Sequence, residues 1–334
     1  MRAAVYETSG DSDVLQVKDV PTPAPGPGEV LVRIALAGVN PTDWKNRRAT
    51  APRTAGLDFQ IPGQDGAGTI EAVGAGVDAG RIGERVWLYM AARGRPWGTA
   101  AEYSVIPAQR AVPLADSASW ELGASLGVPA LTAWYCLNAD RPIGTREDGP
   151  GGQRVLVAGG AGAVGHAAVE LARWGGAEAV IATASTPEKR ALAAAAGAHL
   201  VVDYRSENAA SEIRSVAPEG VDRIVELALQ ANMELDLAVA APYAHVVVYA
   251  DDVYPAASVP IRRLMLANLT LRFMILYAIR EEKRLEGVAA VQAAVAAQAL
   301  TPLPIERVPL QRVADAHDLV QEGAGGKKVV VDLR

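Results

Sequence analysis

The sequence predicts an α/β protein that combines a β-barrel-like domain with a doubly wound parallel sheet. A glycine-rich junction between an apolar strand and a helix lies at residues 154–165 and begins a stretch in which strands and helices alternate. The preceding part of the chain, up to about residue 125, instead contains short apolar segments separated by Pro- and Gly-rich turns. These two sequence patterns indicate two different domains.

The glycine-rich junction predicts a dinucleotide-binding site. Its glycines have the G-x-G-x-x-G spacing, in which one glycine permits a tight turn, one lets a pyrophosphate approach the backbone, and one lets helix and strand pack closely. The N-terminus of the following helix supplies unpaired N–H groups and the positive end of the helix dipole. We therefore expect the cofactor to bind at Gly160, Ala161, Gly162, Ala163, Val164 and Gly165.

The end of the next predicted strand, 179–183, indicates which dinucleotide binds. An NAD site places an acidic residue there for the ribose hydroxyl, about 20 residues after the glycines, but this chain has Thr183-Ala-Ser185. The first carboxylate, Glu188, is already in the following helix, beside Lys189 and Arg190. A missing acid and nearby cations favour a 2′-phosphate and hence NADPH, although the two cations equally fit an ordinary solvated helix face.

Composition limits the remaining possibilities. A chain of 334 residues, half of them hydrophobic and 21% charged, is long enough for two domains with real cores. The net charge of −6 argues against a nucleic-acid surface. The single cysteine, Cys136, excludes an intrachain disulfide and a cysteine-rich zinc site. Charge at the start of the chain and the absence of a long apolar run favour a cytoplasmic protein without a membrane span.

Apolar patterning gives a coarse element map. In the first part we predict the strands Ala3–Tyr6, Val14–Val20, Val30–Ala37, Ile70–Val73, Arg85–Tyr89 and Ala101–Ile106, followed by helices near Trp120–Leu126 and Ala130–Leu137. In the second part we predict strands at 154–158, 179–183, 200–202, 222–226, 244–249 and 269–276, and helices near 163–174, 187–196, 206–216 and 232–240. The predicted closing elements are a helix at Glu281–Ala299, a short helix near Val313–Gln321 and the strand Lys327–Leu333.

As a set, the motifs of the chain resemble the medium-chain dehydrogenase/reductase superfamily, in its zinc-independent quinone oxidoreductase and ζ-crystallin branch. The motifs in order are Gly38-Val-Asn-Pro-Thr-Asp43, Ile61-Pro-Gly-Gln-Asp-Gly-Ala-Gly68, Gly83-Glu-Arg-Val86, Gly98-Thr-Ala-Ala-Glu-Tyr103, Pro129-Ala-Leu-Thr-Ala-Trp134, the glycine turn, Gly197-Ala-His-Leu-Val-Val-Asp-Tyr204, Val313-Ala-Asp-Ala-His317 and Gly326-Lys-Lys-Val-Val330. Each motif alone is weak, but their order covers nearly the whole chain.

The resemblance implies a domain arrangement and an assembly. A GroES-like catalytic domain would consist of residues 1–125 and 279–334, and a Rossmann NADPH-binding domain would consist of residues 126–278, with the cofactor cleft between them. The family also implies a homodimer formed by pairing of the last Rossmann strand, here about Leu269–Leu276. The expected partner is a small quinone or enone substrate, with neither nucleic acid nor a membrane.

The residue types at the zinc positions predict a metal-free enzyme. Zinc-dependent relatives require a cysteine, a His-Glu pair and a four-cysteine lobe, whereas this chain has Asn40, then Gln64-Asp65, and a segment 90–98 without cysteine. Catalytic zinc needs three ligands drawn from thiolate, imidazole and carboxylate groups. The four histidines are dispersed along the sequence.

The resemblance also assigns individual residues. Asn40 matches an asparagine beside the nicotinamide, although Asn-Pro is also a common start of a turn, and Thr132 matches a threonine near the nicotinamide. Asp43, on the predicted turn after Asn40, is the candidate acid. Ser185, Lys189 and Tyr204 match the trio around the adenosine 2′-phosphate. Tyr249 completes the predicted cofactor site and begins a loop that departs from the family's glycine-containing pattern.

The resemblance and the cofactor prediction support hydride transfer from NADPH to a quinone or an α,β-unsaturated carbonyl. Two alternatives remain open at this point: an enoyl-thioester reductase of a biosynthetic pathway, and a catalytically inert NADPH-binding protein similar to ζ-crystallin. All three share the glycine turn, so the sequence does not choose between them.

Overall fold

A computed structural model describes residues 1–49, 59–146, 151–250 and 258–334. The chain forms two compact units. The first unit comprises Met1–Val128 and Pro302–Arg334, and the second comprises Pro129–Thr301. The predicted boundary at 278/279 lies before a helix that belongs to the second unit, so the second unit extends further along the chain than the sequence suggested.

Short strands dominate the first unit, and alternating strands and helices dominate the second. The strands are Arg2–Val5 (β1), Gln16–Asp19 (β2), Glu29–Gly38 (β3), Asp65–Val73 (β4), Arg85–Leu88 (β5), Tyr103–Pro107 (β6), Ala111–Pro113 (β7), Arg154–Val157 (β8), Ala179–Thr183 (β9), Leu200–Val202 (β10), Val221–Glu226 (β11), Ala240–Val248 (β12), Thr270–Phe273 (β13), Ile305–Pro309 (β14) and Lys328–Asp332 (β15). The helices are Pro41–Ala49 (α1), Trp120–Asn138 (α2), Ala163–Trp174 (α3), Pro187–Ala195 (α4), Ala209–Val216 (α5), Leu229–Val239 (α6), Ile261–Leu266 (α7), Glu281–Ala296 (α8) and Val313–Gln321 (α9). Within the described ranges, none of these helices has the length and apolar character needed to cross a lipid bilayer.

The first unit is built on a curved, mainly antiparallel sheet. Its strand order is β14-β15-β3-β4-β5-β7. The strand β6 pairs with the first half of the long strand β3, and β15 pairs with its last residues. Only the β14–β15 pair is parallel, and it brings the C-terminal strand against β3. The core beneath the sheet contains apolar side chains from both ends of the chain. This architecture confirms the predicted GroES-like fold and the contribution of both chain ends.

The second unit contains a six-stranded parallel sheet with the order β10-β9-β8-β11-β12-β13. The four residues of β8 and the five of β9 are all buried, as expected for parallel strands that are covered on both faces. The order reverses direction at β8, where the sheet continues on one side to β9 and on the other to β11. Such a switch point is where doubly wound folds bind their ligands. The predicted Rossmann fold is confirmed.

Three local predictions were wrong. Asp43 lies in the first turn of α1 and not on a turn, because a proline at the first helical position starts a helix as readily as Asn-Pro starts a turn. The two helices predicted around Pro129 form the single helix α2, in which Pro129 is an internal residue. Strand β4 begins at Asp65, five residues earlier than predicted, because its small residues pair with β3 and β5.

A buried pair of carboxyl groups lies where β11 meets α6. Glu226 is fully buried, and Asp236 is 3% exposed. The Glu226 carboxylate accepts hydrogen bonds from the Ala228 N–H and from Asn232 Nδ2. Burial and then the neighbouring Glu226 charge raise the pKa of Asp236 well above its usual value, and burial raises the pKa of Glu226 as well. Asp236 therefore keeps its proton to a higher pH than an ordinary aspartate does.

This carboxyl pair predicts a pH dependence of stability. A carboxyl group with a raised pKa binds more protons in the folded state than in the unfolded state, so the free energy of unfolding falls as the pH rises from about 4 through the raised value. The Asp236→Asn variant keeps an N–H donor for Glu226 but does not titrate. Its stability relative to the wild type should therefore increase with pH, by about 1.4 kcal/mol for each unit by which folding raises the pKa of Asp236. Urea denaturation at several pH values measures this difference.

The matched control is Glu234→Gln, which removes an exposed carboxylate from the same helix. It should leave the pH dependence of unfolding as in the wild type. If the free energy of unfolding changes with pH in the same way in Asp236→Asn and in the wild type, folding does not raise the pKa of Asp236.

Candidate functional site

The glycine turn between β8 and α3 leaves no room for side chains at two of its three glycines. A Cβ atom at Gly165 would lie 2.2 Å from the Gly159 carbonyl oxygen, and one at Gly160 would lie 2.7 Å from Cβ of Ala182 in β9. Gly159 itself has a φ of +67°, a left-handed conformation that favours glycine. The turn is thus held against the β8–β9 pair by close backbone contacts.

The N-terminus of α3 is open to a ligand. Gly162 is its N-cap residue and provides no capping side chain, and a Cβ atom there would meet only the Gly159 oxygen at 3.4 Å. The first N–H groups of a helix lack partners within the helix, and the helix dipole adds positive potential at that end. An uncapped helix start at the switch point of the sheet fits the pyrophosphate of a dinucleotide. The residues 160–165 therefore have the geometry that the sequence predicted.

Basic side chains gather after β9 and β10, where the adenosine ribose of a dinucleotide would lie. Thr186 caps α4, and its hydroxyl accepts from the Lys189 N–H at 3.3 Å. The Asp203 carboxylate is bound by Arg205 at 3.1 Å and by Arg190 at 3.3 Å. Both arginines also donate to the Ser185 carbonyl oxygen. These bonds hold two guanidinium groups at the backbone of Ser185, where an NAD site would place an acid.

The side chains near Ser185 differ in charge, pairing and exposure. Hydrogen bonds from Arg205, with Arg190 adding to the effect, lower the pKa of Asp203 to about 2, so this carboxylate stays ionised and keeps its arginines in place. The Lys189 ammonium forms no hydrogen bond or ion pair with the described part of the chain, and Tyr204 is half exposed at 45%. Arg205 was not among the predicted site residues. Its signal was its place two residues after Asp203, within reach of that carboxylate.

The two remaining cofactor candidates lie in the second unit. Thr132 is buried in α2. Tyr249 follows β12, and its backbone N–H donates to the backbone carbonyl oxygen of Glu226 at 3.0 Å. The cofactor roles of Thr132 and Tyr249 stay predictions. The acidic residues Asp251 and Asp252 and the end of that loop, Tyr254, lie outside the described residues.

In the first unit, a buried polar cluster forms around Asn40 at the end of β3. We call Asn40, Asp43, Gln64, Asp65 and Lys328 the Asn40 cluster. All five are at most 3% exposed. The Asn40 N–H donates to Asp43 Oδ2 at 2.8 Å across the first turn of α1, and Asn40 Nδ2 donates to Asp65 Oδ2 at 2.7 Å. The cluster thus contains both residues predicted to be catalytic, Asn40 and Asp43.

Lys328, the first residue of β15, was not predicted as a site residue. Its Nζ donates to Asn40 Oδ1 at 2.7 Å and to the Val39 carbonyl oxygen at 3.1 Å. A lysine is almost never fully buried unless it is paired. The signal in the sequence was a cation that begins the run Lys-Val-Val-Val, whose four residues are all buried.

The charges of the Asn40 cluster shift one another's titration. Burial raises the pKa of Asp43 to about 7, and the neighbouring Asp65 carboxylate adds to this effect. Burial also raises the pKa of Asp65 to about 6, although the Lys328 charge and the Asn40 amide oppose it. Burial lowers the pKa of Lys328, while the two carboxylates act in the other direction. Near neutral pH, an ionised Asp65 and a partly protonated Asp43 are therefore enclosed beside the Lys328 side chain.

The Asn40 cluster does not fit a zinc ion. Asn40 Oδ1 already accepts from the Lys328 ammonium, and Asp65 accepts from Asn40 and from the Val128 N–H at 2.8 Å. A buried ammonium at the donor atom would repel a divalent cation. Across the residues that the structure describes, no group of three or more His, Cys, Asp or Glu side chains has an arrangement suitable for a metal ion.

Comparisons with known proteins agree with these observations. Two family profiles match: the alcohol dehydrogenase GroES-like domain over residues 26–116, and the zinc-binding dehydrogenase over residues 163–291. The quinone oxidoreductase of Lama guanicoe is 32% identical, covering 100% of this chain and 98% of that protein, and the quinone oxidoreductase of Homo sapiens is 30% identical, covering 99% and 98%. A mycobacterial protein solved in complex with NADPH is 29% identical, with a TM-score of 0.83, covering 99% of this chain and 100% of that one.

The similarity to the quinone oxidoreductases extends over both units and both chain ends. The chain therefore belongs to the medium-chain dehydrogenase/reductase superfamily, within its quinone oxidoreductase and ζ-crystallin branch.

Proposed function

We propose that this protein is a metal-free, NADPH-dependent oxidoreductase that transfers a hydride to a quinone or an α,β-unsaturated carbonyl. The observation that supports this most strongly is the open N-terminus of α3 behind a glycine turn, followed by a basic environment at Ser185. The relatives named as quinone oxidoreductases and the mycobacterial structure with NADPH support the same cofactor and reaction.

The bound nicotinamide would supply a hydride, which carries two electrons. With a quinone, the product is a hydroquinone anion stabilised by its ring, which takes a proton from solvent. With an enone, the hydride would add to the β carbon, the carbon–carbon π pair would form a new double bond between the α carbon and the carbonyl carbon, and the carbonyl π pair would move to the oxygen. The resulting enolate would then take a proton at the α carbon. The protein's tasks are therefore to orient the substrate, to exclude water and to stabilise an oxyanion.

Asn40 and Asp43 would have different roles: Asn40 would stabilise the oxyanion, and Asp43 would supply a proton. The Asn40 amide carries two hydrogens and gives one of them to Asp65, so the other suits a substrate oxygen. Asp43, with its pKa raised to about 7, retains a proton through much of the neutral range and is the candidate proton donor for an enolate. A hydroquinone anion does not require this proton donor.

The basic environment at Ser185 predicts selectivity for NADPH. Replacing Lys189 with Ala should raise the KM for NADPH about tenfold, because one charge-assisted contact with the 2′-phosphate is worth about 1.4 kcal/mol. NADH lacks that phosphate, so its KM should stay unchanged and serves as the internal control. Steady-state kinetics with a simple quinone, in the presence of a chelator, measure both constants. An equal rise for both cofactors would assign Lys189 to the fold and not to the phosphate.

The same assay tests the proposed reaction itself. Chelator-resistant quinone reduction that prefers NADPH supports it. Tight NADPH binding without turnover of quinones or enones would contradict it, and an added panel of enoyl thioesters would then separate a thioester reductase from a protein that only binds the cofactor.

The Asn40 cluster predicts a loss of turnover on truncation. Asn40→Ala should lower kcat for an enone about 10²- to 10³-fold, as expected for removal of a donor to an oxyanion. Asn46→Ala, which truncates an exposed asparagine of the same helix α1, should leave kcat unchanged. Equal kcat values for Asn40→Ala and the wild type, at saturating substrate, would remove Asn40 from the reaction.

We also propose that the protein forms a homodimer through β13. This strand is at the end of the six-stranded sheet and, among the described strands, pairs only with β12. The side chains Phe273 and Ile275 are 66% and 62% exposed. An exposed apolar edge strand is a surface for pairing with another chain.

Phe273→Asp should shift the protein from dimer to monomer, because a carboxylate would be buried without a partner at the paired edge. Sedimentation velocity at micromolar concentration measures the change. Ile82→Asp places the same charge on an exposed apolar residue of the first unit and should leave the assembly state as in the wild type. If both variants sediment like the wild type, β13 is not the interface.

A further inference from the structure

Lys328 is a buried basic residue to which neither the similarity to known proteins nor the proposed reaction assigns a role. It is 3% exposed, and within the described part of the chain its Nζ donates hydrogen bonds to two carbonyl oxygens, those of Val39 and of the Asn40 side chain. The neighbouring Lys327 is exposed and pairs with Glu306. A hydrophobic residue at position 328 would continue the apolar run of β15 without the cost of desolvating an ammonium.

The fold makes a specific place for this side chain. Gly38 lies on β3 opposite Val330 of β15. A Cβ atom at Gly38 would lie 2.0 Å from the Ala124 carbonyl oxygen of α2 and 3.2 Å from Lys328 Cε. The glycine thus lets α2 approach the sheet and leaves the channel along which the lysine reaches Asn40.

The contacts of Asn40 determine the orientation of its amide. An ammonium ion can only donate hydrogen bonds, and a carboxylate can only accept them. With Lys328 on one side and Asp65 on the other, the carbonyl oxygen must face Lys328 and the NH₂ group must face Asp65. A flipped amide would place donor against donor and acceptor against acceptor. Both favourable bonds involve charged groups, so they are strong in this buried setting.

We propose that Lys328 is a positioning residue of the reduction, an inference that rests on the proposed function. Its ammonium group fixes and polarises the Asn40 amide, so that the second N–H of the amide is presented to the substrate oxygen. Asp65 takes one hydrogen of the NH₂ group, and among the described residues the other has no acceptor. Withdrawal of electron density toward Lys328 at the carbonyl makes the remaining N–H a better donor to a developing oxyanion.

A double-mutant cycle tests this proposal in the full-length protein. Lys328→Met removes the charge from a chain of similar length and should lower kcat for an enone about tenfold or more, with NADPH affinity unchanged. In the Asn40→Ala background the same substitution should have no further effect, because the lysine acts through the amide. The primary isotope effect with deuterated NADPH should grow in Lys328→Met, as hydride transfer becomes rate-limiting. Lys327→Met, next in sequence but exposed, should behave like the wild type.

Two outcomes would overturn the proposal. One is wild-type kcat in Lys328→Met, and the other is a loss that multiplies the effect of Asn40→Ala. Because Lys328→Met leaves Asp65 buried without its cation, the neutral double variant Lys328→Met/Asp65→Asn provides a second test. It should fold and remain slow, since no ammonium orients the Asn40 amide. Recovery of wild-type turnover would show that Lys328 merely neutralises Asp65.

The positioning claim can be separated from the proposed function. If the wild type reduces neither quinones nor enones, the proposed function fails, but the side-chain amide resonance of Asn40 in ¹⁵N-asparagine-labelled protein still reports its orientation. A shift and broadening of that resonance in Lys328→Met supports the fixed amide, and an unchanged resonance overturns it. Assignment follows from the loss of the signal in Asn40→Ala.

Discussion

The central constraint in the first unit is the burial of one ammonium ion and two carboxyl groups in a space that excludes water. A buried charge is costly unless hydrogen bonds compensate for the lost water. Lys328 and Asp65 are held by bonds of 2.7–3.1 Å to the Asn40 amide, the Val39 carbonyl oxygen and the Val128 N–H, whereas one hydrogen of the Asn40 amide has no acceptor among the described residues. Their arrangement brings together the end of β3, the start of β4 and the start of β15, three points that are far apart in the sequence.

This arrangement requires glycine where the backbone approaches the buried side chains closely. Gly127 in α2 has no side chain because a Cβ atom would lie 2.1 Å from Asp65 Oδ1. The Val128 N–H then donates directly to that carboxylate. In the second unit the glycines serve a different purpose. Gly160 lets the turn approach β9, Gly165 lets α3 pack against the Gly159 carbonyl group, and Gly162 leaves the start of α3 open. One unit uses close approach to enclose charge, and the other uses it to expose backbone N–H groups to an anion.

The distance in sequence between interacting residues explains why the local geometry of residues 160–165 could be predicted, whereas the contacts of the Asn40 cluster could not. Residues 160–165 and Ser185 are local: a strand, a turn and a helix in succession define their geometry, and the period of the apolar residues reveals all three. Asn40, Asp43 and Asp65 came from the resemblance to a family, and no pattern in the sequence indicated that Asn40 and Asp65 share a hydrogen bond. The helix α1 was missed for a related reason, since Asn40-Pro41 begins a turn or a helix equally well until the Asp43 side chain accepts the Asn40 N–H.

The sequence by itself determined the class of fold, the dinucleotide turn and the absence of an acid at the end of β9, because each depends on residues within a few positions of one another. Only the tertiary structure decided that Lys328 contacts Asn40, 288 residues away, and that Arg190 reaches Asp203 after the neighbouring strand. Pairing of distant strands sets such contacts, and the energy of a charged bond depends on which partners the fold encloses with it. A lysine in the motif Gly326-Lys-Lys-Val-Val330 has the same chemistry whether it faces water or the interior, and the register of β15 on β3 directs one of the two lysines inward.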